Sequence, residues 1–197
     1  MGKKGDQTRQ KILDLAAELI NQKGISAMSI ADLMVGTNLT KGGIYRHFSS
    51  KDAIVAEVVD QYVNSLTTRI GAALDQQDQP KLRLAALIDA LASVAWDPVV
   101  RGGCLLMTVA ASSPEPENRQ LKSKILMAFG QMRSLVSDEI ALAKERRQLP
   151  DDFDGEQFAS VALSAIEGAI FVSEAEQDPK HARYISKFLK QALALDQ

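Results

Sequence analysis

Apolar residues recur at three- and four-residue spacing along almost the whole chain, and no strand-like alternation of apolar and polar residues interrupts them. That pattern lets helices bury against helices and leaves nothing from which to build a sheet. The sequence therefore predicts an all-α fold of about nine helices. The first, over 8–22, carries Ile12, Leu13, Ala16, Ala17, Leu19 and Ile20, with Gly24 placed as its stop. The second, about 30–36, would bury Ile30, Leu33 and Met34, and is entered through Ser29 as N-cap with Asp32 three residues on. A tight turn, Thr37–Asn38–Leu39, leads to a short helix from Thr40, and a long helix follows over about 50–76. Further helices are expected at 81–95, 102–112, from Pro114 to about 148, 155–177 and 180–194. Internal repeats and low-complexity tracts are absent from the sequence.

The stretch from Thr40 to Phe48 is unusual for so short a helix. Leu39, Ile44 and Phe48 would face inward. Thr40, Lys41, Gly42, Gly43, Tyr45, Arg46 and His47 would face outward. Thr40 suits an N-cap, because its hydroxyl can accept from a first-turn N–H. Two glycines follow, each costing about 1 kcal/mol of helix propensity relative to alanine. The cost makes sense if a bulky anionic partner such as a DNA phosphate must approach the backbone at that point. The alternative is a loosely packed surface helix with a few solvated charges.

Charge distribution bears on the choice. The chain has a net charge of −2, which taken alone argues against a nucleic-acid partner. Yet residues 1–51 hold eight lysines and arginines against four acids, while the remainder is acidic by six. A basic front end on an acidic body is the footprint of a polyanion met at one end only. One cysteine, Cys104, excludes an internal disulfide, and two distant histidines, His47 and His181, make a structural zinc site a poor fit. Asp151, Asp152 and Asp154 lack the spacing of a calcium loop and suit the cap of the next helix. No apolar run reaching the ~18–20 residues of a membrane span is expected, nor a signal peptide, which points to a cytoplasmic protein.

The first sixty residues resemble the bacterial tetracycline-repressor (TetR) type of transcriptional regulator. The matching residues are Thr8–Arg9–Gln10–Lys11–Ile12–Leu13, Ala16–Ala17, Gly24, Ser29–Ile30, Leu33, Leu39 through Tyr45, His47–Phe48 and Ser50–Lys51. Two places depart from the family's habit: Thr37–Asn38 stand where Ala–Gly is usual, and Met34 where Ala is usual. The resemblance implies a helix-turn-helix domain over 1–50, with the motif itself at about 29–48. It implies a regulatory and dimerisation domain over 51–197. It also implies a homodimer on a palindromic double-stranded operator and release by an unidentified small-molecule effector.

Residues can be assigned on this basis. Ser29, Thr40, Lys41, Gly42, Gly43, Tyr45, Arg46, His47 and Lys51 form the expected DNA-facing set. Tyr45, His47 and Lys51 are expected mainly on phosphates, and Lys41 and Arg46 on guanine edges. Lys3, Lys4 and Arg9 would either reach DNA or form a basic tail. Trp96, Cys104, Met107, Met127, Phe129, Met132 and Phe171 are candidates to line an effector pocket, or are plain core. Phe158, Ala165, Gly168, Ala169, Val172, Ile185, Phe188 and Leu189 are the expected dimer face, although the two last helices could instead bury each other within one protomer. Cys104 has two readings: a thiol sensing electrophiles or oxidants with help from Arg101, or a small buried apolar residue. An enzyme finds no support, since no nucleophile–base pair, phosphate loop, metal cluster or cofactor motif stands in the sequence. A helical adaptor that binds only protein is disfavoured by the basic front end.

Overall fold

The computed structural model describes residues 3–97, 102–112 and 119–194. The expected helix start at Pro114–Asn118 and the side chain of Arg101 lie outside these. Among the described residues there are nine α-helices, one 3-10 turn and no strand. In chain order they are α1 (Lys3–Ala27), α2 (Ile30–Thr37), α3 (Lys41–Tyr45), α4 (Lys51–Leu74), α5 (Pro80–Ala92), α6 (Leu105–Ser112), α7 (Arg119–Glu145), α8 (Gly155–Glu176) and α9 (Lys180–Ala192), with the 3-10 turn at Ser93–Trp96. Most boundaries fall within a few residues of those read from periodicity. The largest difference is α1, which starts earlier, at Lys3, and continues past Gly24. The glycine is still where helical geometry fails, at φ +77°.

The chain packs as two compact units. The first takes the chain up to Asn64 and then recruits the segment ending at Ser123; the second takes Ser65–Asp97 and the chain from Lys124 onward. These bounds differ from the division expected near residue 50, for a physical reason. α6 packs on α1 rather than with its sequence neighbours. Asn21 Nδ2 donates to the Gly103 carbonyl at 3.4 Å, and the Ile25 amide donates to Ser112 Oγ at 3.2 Å. A side chain at Gly24 would strike Ser112, its Cβ lying 2.9 Å from the serine Cβ. The first unit's core is built from Ile12, Leu13, Ile20, Leu33, Ile44, Ile54, Leu105 and Leu106, all buried.

In the second unit α5, α8 and α9 pack on one another. Asp154 caps α8 by accepting from the Gln157 amide at 2.9 Å, as its position before the helix suggested. α9 buries Ala182, Ser186 and Leu189, at i, i+4 and i+7, against its own protomer. Asp89 of α5 holds α9 from outside, accepting from Ser186 and from Lys190 Nζ at 2.9 Å. The expectation that no segment is long and apolar enough to cross a membrane needs correction. By length and composition α8 qualifies, its small and apolar residues serving to pack one face against α9 and α5.

Glu139 is the buried partner of an ion pair in this unit. Glu139 of α7 is 4% exposed and accepts from Arg83 Nε at 2.9 Å, while Arg83 Nη1 donates to the Leu74 carbonyl at the end of α4 at 3.0 Å. The carboxylate pushes the arginine pKa further up. Removing one partner of a buried pair leaves the other without compensation. Arg83→Ala, which strands the buried Glu139 carboxylate, is therefore expected to lower unfolding free energy by roughly 3 kcal/mol, the lower end of that class because the pair is partly solvated on the Arg83 side. Urea denaturation of the two proteins measures it.

Candidate nucleic-acid interface

The geometry from Ser29 to Lys51 is set by caps. Ser29 Oγ accepts from the Asp32 amide at 3.2 Å while the Asp32 carboxylate accepts from the Ser29 amide at 2.8 Å, closing a reciprocal box at the start of α2. Asn38 ends α2 in the left-handed region at φ 58°, ψ 36°, which asparagine tolerates better than most residues. Thr40 then caps α3, its hydroxyl accepting from the Gly43 amide at 3.1 Å. Ser50 caps α4 in the same way, accepting from the Ala53 amide at 3.0 Å. Ile44 is fully buried and Phe48 nearly so, which anchors α3 from beneath. Leu39 is half-buried.

The outer face of α3 is left open. Thr40, Lys41, Gly42, Tyr45 and Arg46 are exposed, Gly43, His47 and Lys51 half-buried. His47 Nδ1 is buried without a hydrogen-bond partner among the described residues. Apart from its chain neighbours and the helix's own backbone, no atom of the described residues lies within 4 Å of where a Cβ at Gly42 would stand, so no packing neighbour among them requires a glycine there. The expected DNA-facing set is thus brought together at one place, with one qualification. The Ser29 hydroxyl is already engaged in closing the box of α2, so its first role is structural.

Six cations between Arg9 and Lys51 divide into two kinds. Arg9 forms a two-pronged pair with Glu57 of α4 and lies over the Phe48 ring, 4.6 Å from its centroid. Lys11 donates to the Thr37 carbonyl at 3.2 Å, and Lys23 pairs with Asp32 at 2.8 Å. Arg9 therefore braces the fold, and the reading of it as an arm toward DNA is corrected. Lys41, Arg46 and Lys51 have no ion pair among the described residues. Sequence reasoning could not separate the two groups, because the partners lie 26 and 48 residues away for Lys11 and Arg9.

The remaining candidates are scattered. Cys104 is buried at 6% exposure, with Tyr62 Oη of α4 donating toward its Sγ at 3.6 Å, the setting of a small apolar residue. Met132 is buried and Phe129 half-buried, whereas Trp96, Met107 and Met127 are exposed. Trp96 lies under the Arg183 guanidinium at 5.7 Å. Phe171 is 74% exposed on α8 beside Val172, so it leaves the pocket set. Leu189, expected on the dimer face from the resemblance, is 2% exposed and turned into its own protomer. Phe158 packs against Phe153, ring centroids 5.5 Å apart, and Ala165 is half-buried. A shallow groove between α8 and α9 is lined by Gly168, Ala169, Val172, His181, Tyr184, Ile185 and Phe188. His181 and Tyr184 are additions to the expected set; each stands four residues before a member of it, Ile185 and Phe188, and that spacing was the available signal.

Comparison with known proteins places both parts of the chain. Residues 12–58 match the model of bacterial regulatory proteins of the tetR family, and residues 80–189 match that of the tetracyclin repressor-like C-terminal domain. The HTH-type transcriptional repressor DhaR of a Mycobacterium species is 22% identical over 175 residues, covering 86% of this chain and 84% of the relative. The repressor KstR2 of Mycobacterium tuberculosis is 30% identical over 79 residues, 40% of each chain. Among solved structures, a TetR transcriptional regulator from Chloroflexus aurantiacus superposes with a TM-score of 0.88 at 24% identity, covering 98% of this chain and 97% of that one. A second, from Cytophaga hutchinsonii, gives 0.81 at 25% identity over 98% and 96%.

Two measurements follow from the caps and from Gly42. The Lys23 ammonium, then the Ser29 hydroxyl and amide, hold the Asp32 carboxyl down at about 2. A folded pKa below the unfolded one stabilises above the ordinary carboxylate range and ceases to do so as pH falls through 2. Carboxyl NMR should find the Asp32 midpoint near 2. In Lys23→Ala that midpoint should rise toward the unperturbed ~3.9. Gly42→Ala should act with opposite signs on two readouts: folding stability gains up to about 1 kcal/mol, while affinity for duplex DNA falls. An alanine that improves both would mean that nothing approaches this backbone.

Proposed function

The chain belongs to the tetracycline-repressor (TetR) family of DNA-binding transcriptional regulators, and on that premise we propose that it acts as a repressor. In this reading two copies bind a palindromic operator, and a small-molecule effector releases them. The relatives named as repressors support the sign of regulation. The protein works in the cytoplasm, where the operator is, and its action is binding rather than catalysis.

The observation that carries the reading is the division among the cations of the first unit. Arg9, Lys11 and Lys23 are held by groups of the fold, while Lys41, Arg46 and Lys51 have no ion pair among the described residues and surround a helix whose outward side has been cleared of bulk. Lysine and arginine held away from internal acids are available to phosphates and to guanine edges. Phosphates take Tyr45, His47 and Lys51; base edges take Lys41 and Arg46.

Dimerisation is supported by α8 and α9. Val161, Phe171, Tyr184 and Phe188 are 57–74% exposed, far more apolar surface than these two helices need to show water. With Gly168, Ala169, Val172 and Ile185 they form a face on which a second copy would complete a four-helix bundle. Two heads held by that bundle would enter successive major grooves about 34 Å apart. An effector that favours another separation lowers operator affinity, typically by a coupling of about 1–3 kcal/mol that works equally in reverse.

Three outcomes test this. Replacing Lys51 by alanine should reduce the slope of log affinity against log salt by about 0.9, one phosphate being no longer neutralised, in gel shifts on the promoter of its own or the adjacent gene. Arg9→Ala should instead lower the unfolding midpoint and leave the slope near that of the parent. Phe188→Glu should convert a dimer into a monomer by sedimentation velocity and abolish operator binding while leaving helicity by circular dichroism intact.

A further inference from the structure

The base-reading capacity of α3 can be counted residue by residue. A side chain that distinguishes a base pair must leave the helix on the open side, reach the groove floor and carry donors or acceptors matched to that base. Ile44 is fully buried. Gly42 and Gly43 have no side chain. The Thr40 hydroxyl is held at the backbone by its cap to the Gly43 amide. His47 is half-buried with one ring nitrogen turned inside. Tyr45 offers a single hydroxyl, donor and acceptor on the same oxygen, which lacks the two separate polar atoms of a fork that specifies one base. Lys41 and Arg46 are what remains, both exposed and without an internal partner among the described residues.

Both are donors only. Their match in the major groove is the O6 and N7 pair of guanine, whereas two-pronged reading of adenine needs an amide and of cytosine a carboxylate. From Thr40 to His47 there is no Asn, Gln, Asp or Glu. We propose that this protein reads guanine at no more than two positions in each half-site, through Lys41 and Arg46, and reads no adenine or cytosine from α3. The rest of its selectivity comes from the separation of the two half-sites and from the shape of the duplex between them. This rests on the DNA-binding reading above and refines it.

The test uses the full-length dimer and a library of duplexes with two inverted, fully randomised half-sites. The selected duplex is then scanned one base pair at a time in both half-sites. One or two guanines per half-site should lose roughly tenfold or more on substitution, and replacing each with 7-deazaguanine, which lacks the N7 acceptor, should reproduce most of that loss. Lys41→Ala should flatten the penalty at one of these positions and Arg46→Ala at the other. Inserting five base pairs between the half-sites turns them to opposite faces and should cost more than a hundredfold. Three or more positions per half-site with a tenfold penalty, or one such adenine or cytosine that 7-deazaguanine elsewhere leaves untouched, would overturn the proposal. So would an insertion that costs less than tenfold. Failure to bind any duplex, even at low salt, is a different result and would instead remove the DNA-binding reading.

Discussion

A helix of five residues has no stability of its own. Closing the first turn fixes several backbone angles for a single hydrogen bond, and five residues are too few to recover that loss. α3 exists because the first unit holds it from beneath and at its start. Ile44 and Phe48 are buried, Thr40 satisfies the Gly43 amide, and Asn38 turns the chain sharply enough to deliver the helix. Apart from the Thr40 cap at its start, what keeps α3 folded lies on its buried side. The other side is therefore free to carry residues chosen for a partner.

The same economy governs charge. A unit that meets a polyanion has to hold itself together without using up the cations that do the meeting. Here the structural pairs are drawn across the base of the unit. Arg9 reaches Glu57 and stacks on Phe48, and Lys23 supports the carboxylate that opens α2. Arg9 thus ties α1 to α4 at the residue that anchors the recognition element. Glycine has a parallel role at position 42. It carries a propensity cost that no close neighbour in the fold explains, and such a cost is best understood through something that comes from outside.

In the second unit one pair of helices serves two surfaces. α9 turns Ala182, Ser186 and Leu189 inward and Tyr184 and Phe188 outward, so its two faces are both substantially apolar. The inner face is held by α5 and α8, with Asp89 bridging Ser186 and Lys190. Whether the last two helices bury each other or wait for another copy was an open alternative in the sequence. The structure answers the first part, since they pack on each other, and it leaves an apolar outer face that the first arrangement does not consume.

The sequence by itself determined the helical class, most helix boundaries to within a few residues, the caps at Ser29, Thr40 and Asp154, and the inward pair Ile44 and Phe48. These are short-range matters: a cap acts over three residues and an amphipathic stripe repeats every three or four. Tertiary structure alone decided that Arg9 is a brace while Lys41 has no ion pair among the described residues, that α6 belongs with α1, that Leu189 faces in and Phe171 faces out. Each of these depends on groups brought together from distant parts of the chain: 48 residues separate Arg9 from Glu57, and 87 separate Ile25 from Ser112. Periodicity says that a helix has an apolar face. Where two faces are apolar, or where several cations compete for few acids, only the packed neighbours settle which one is inside.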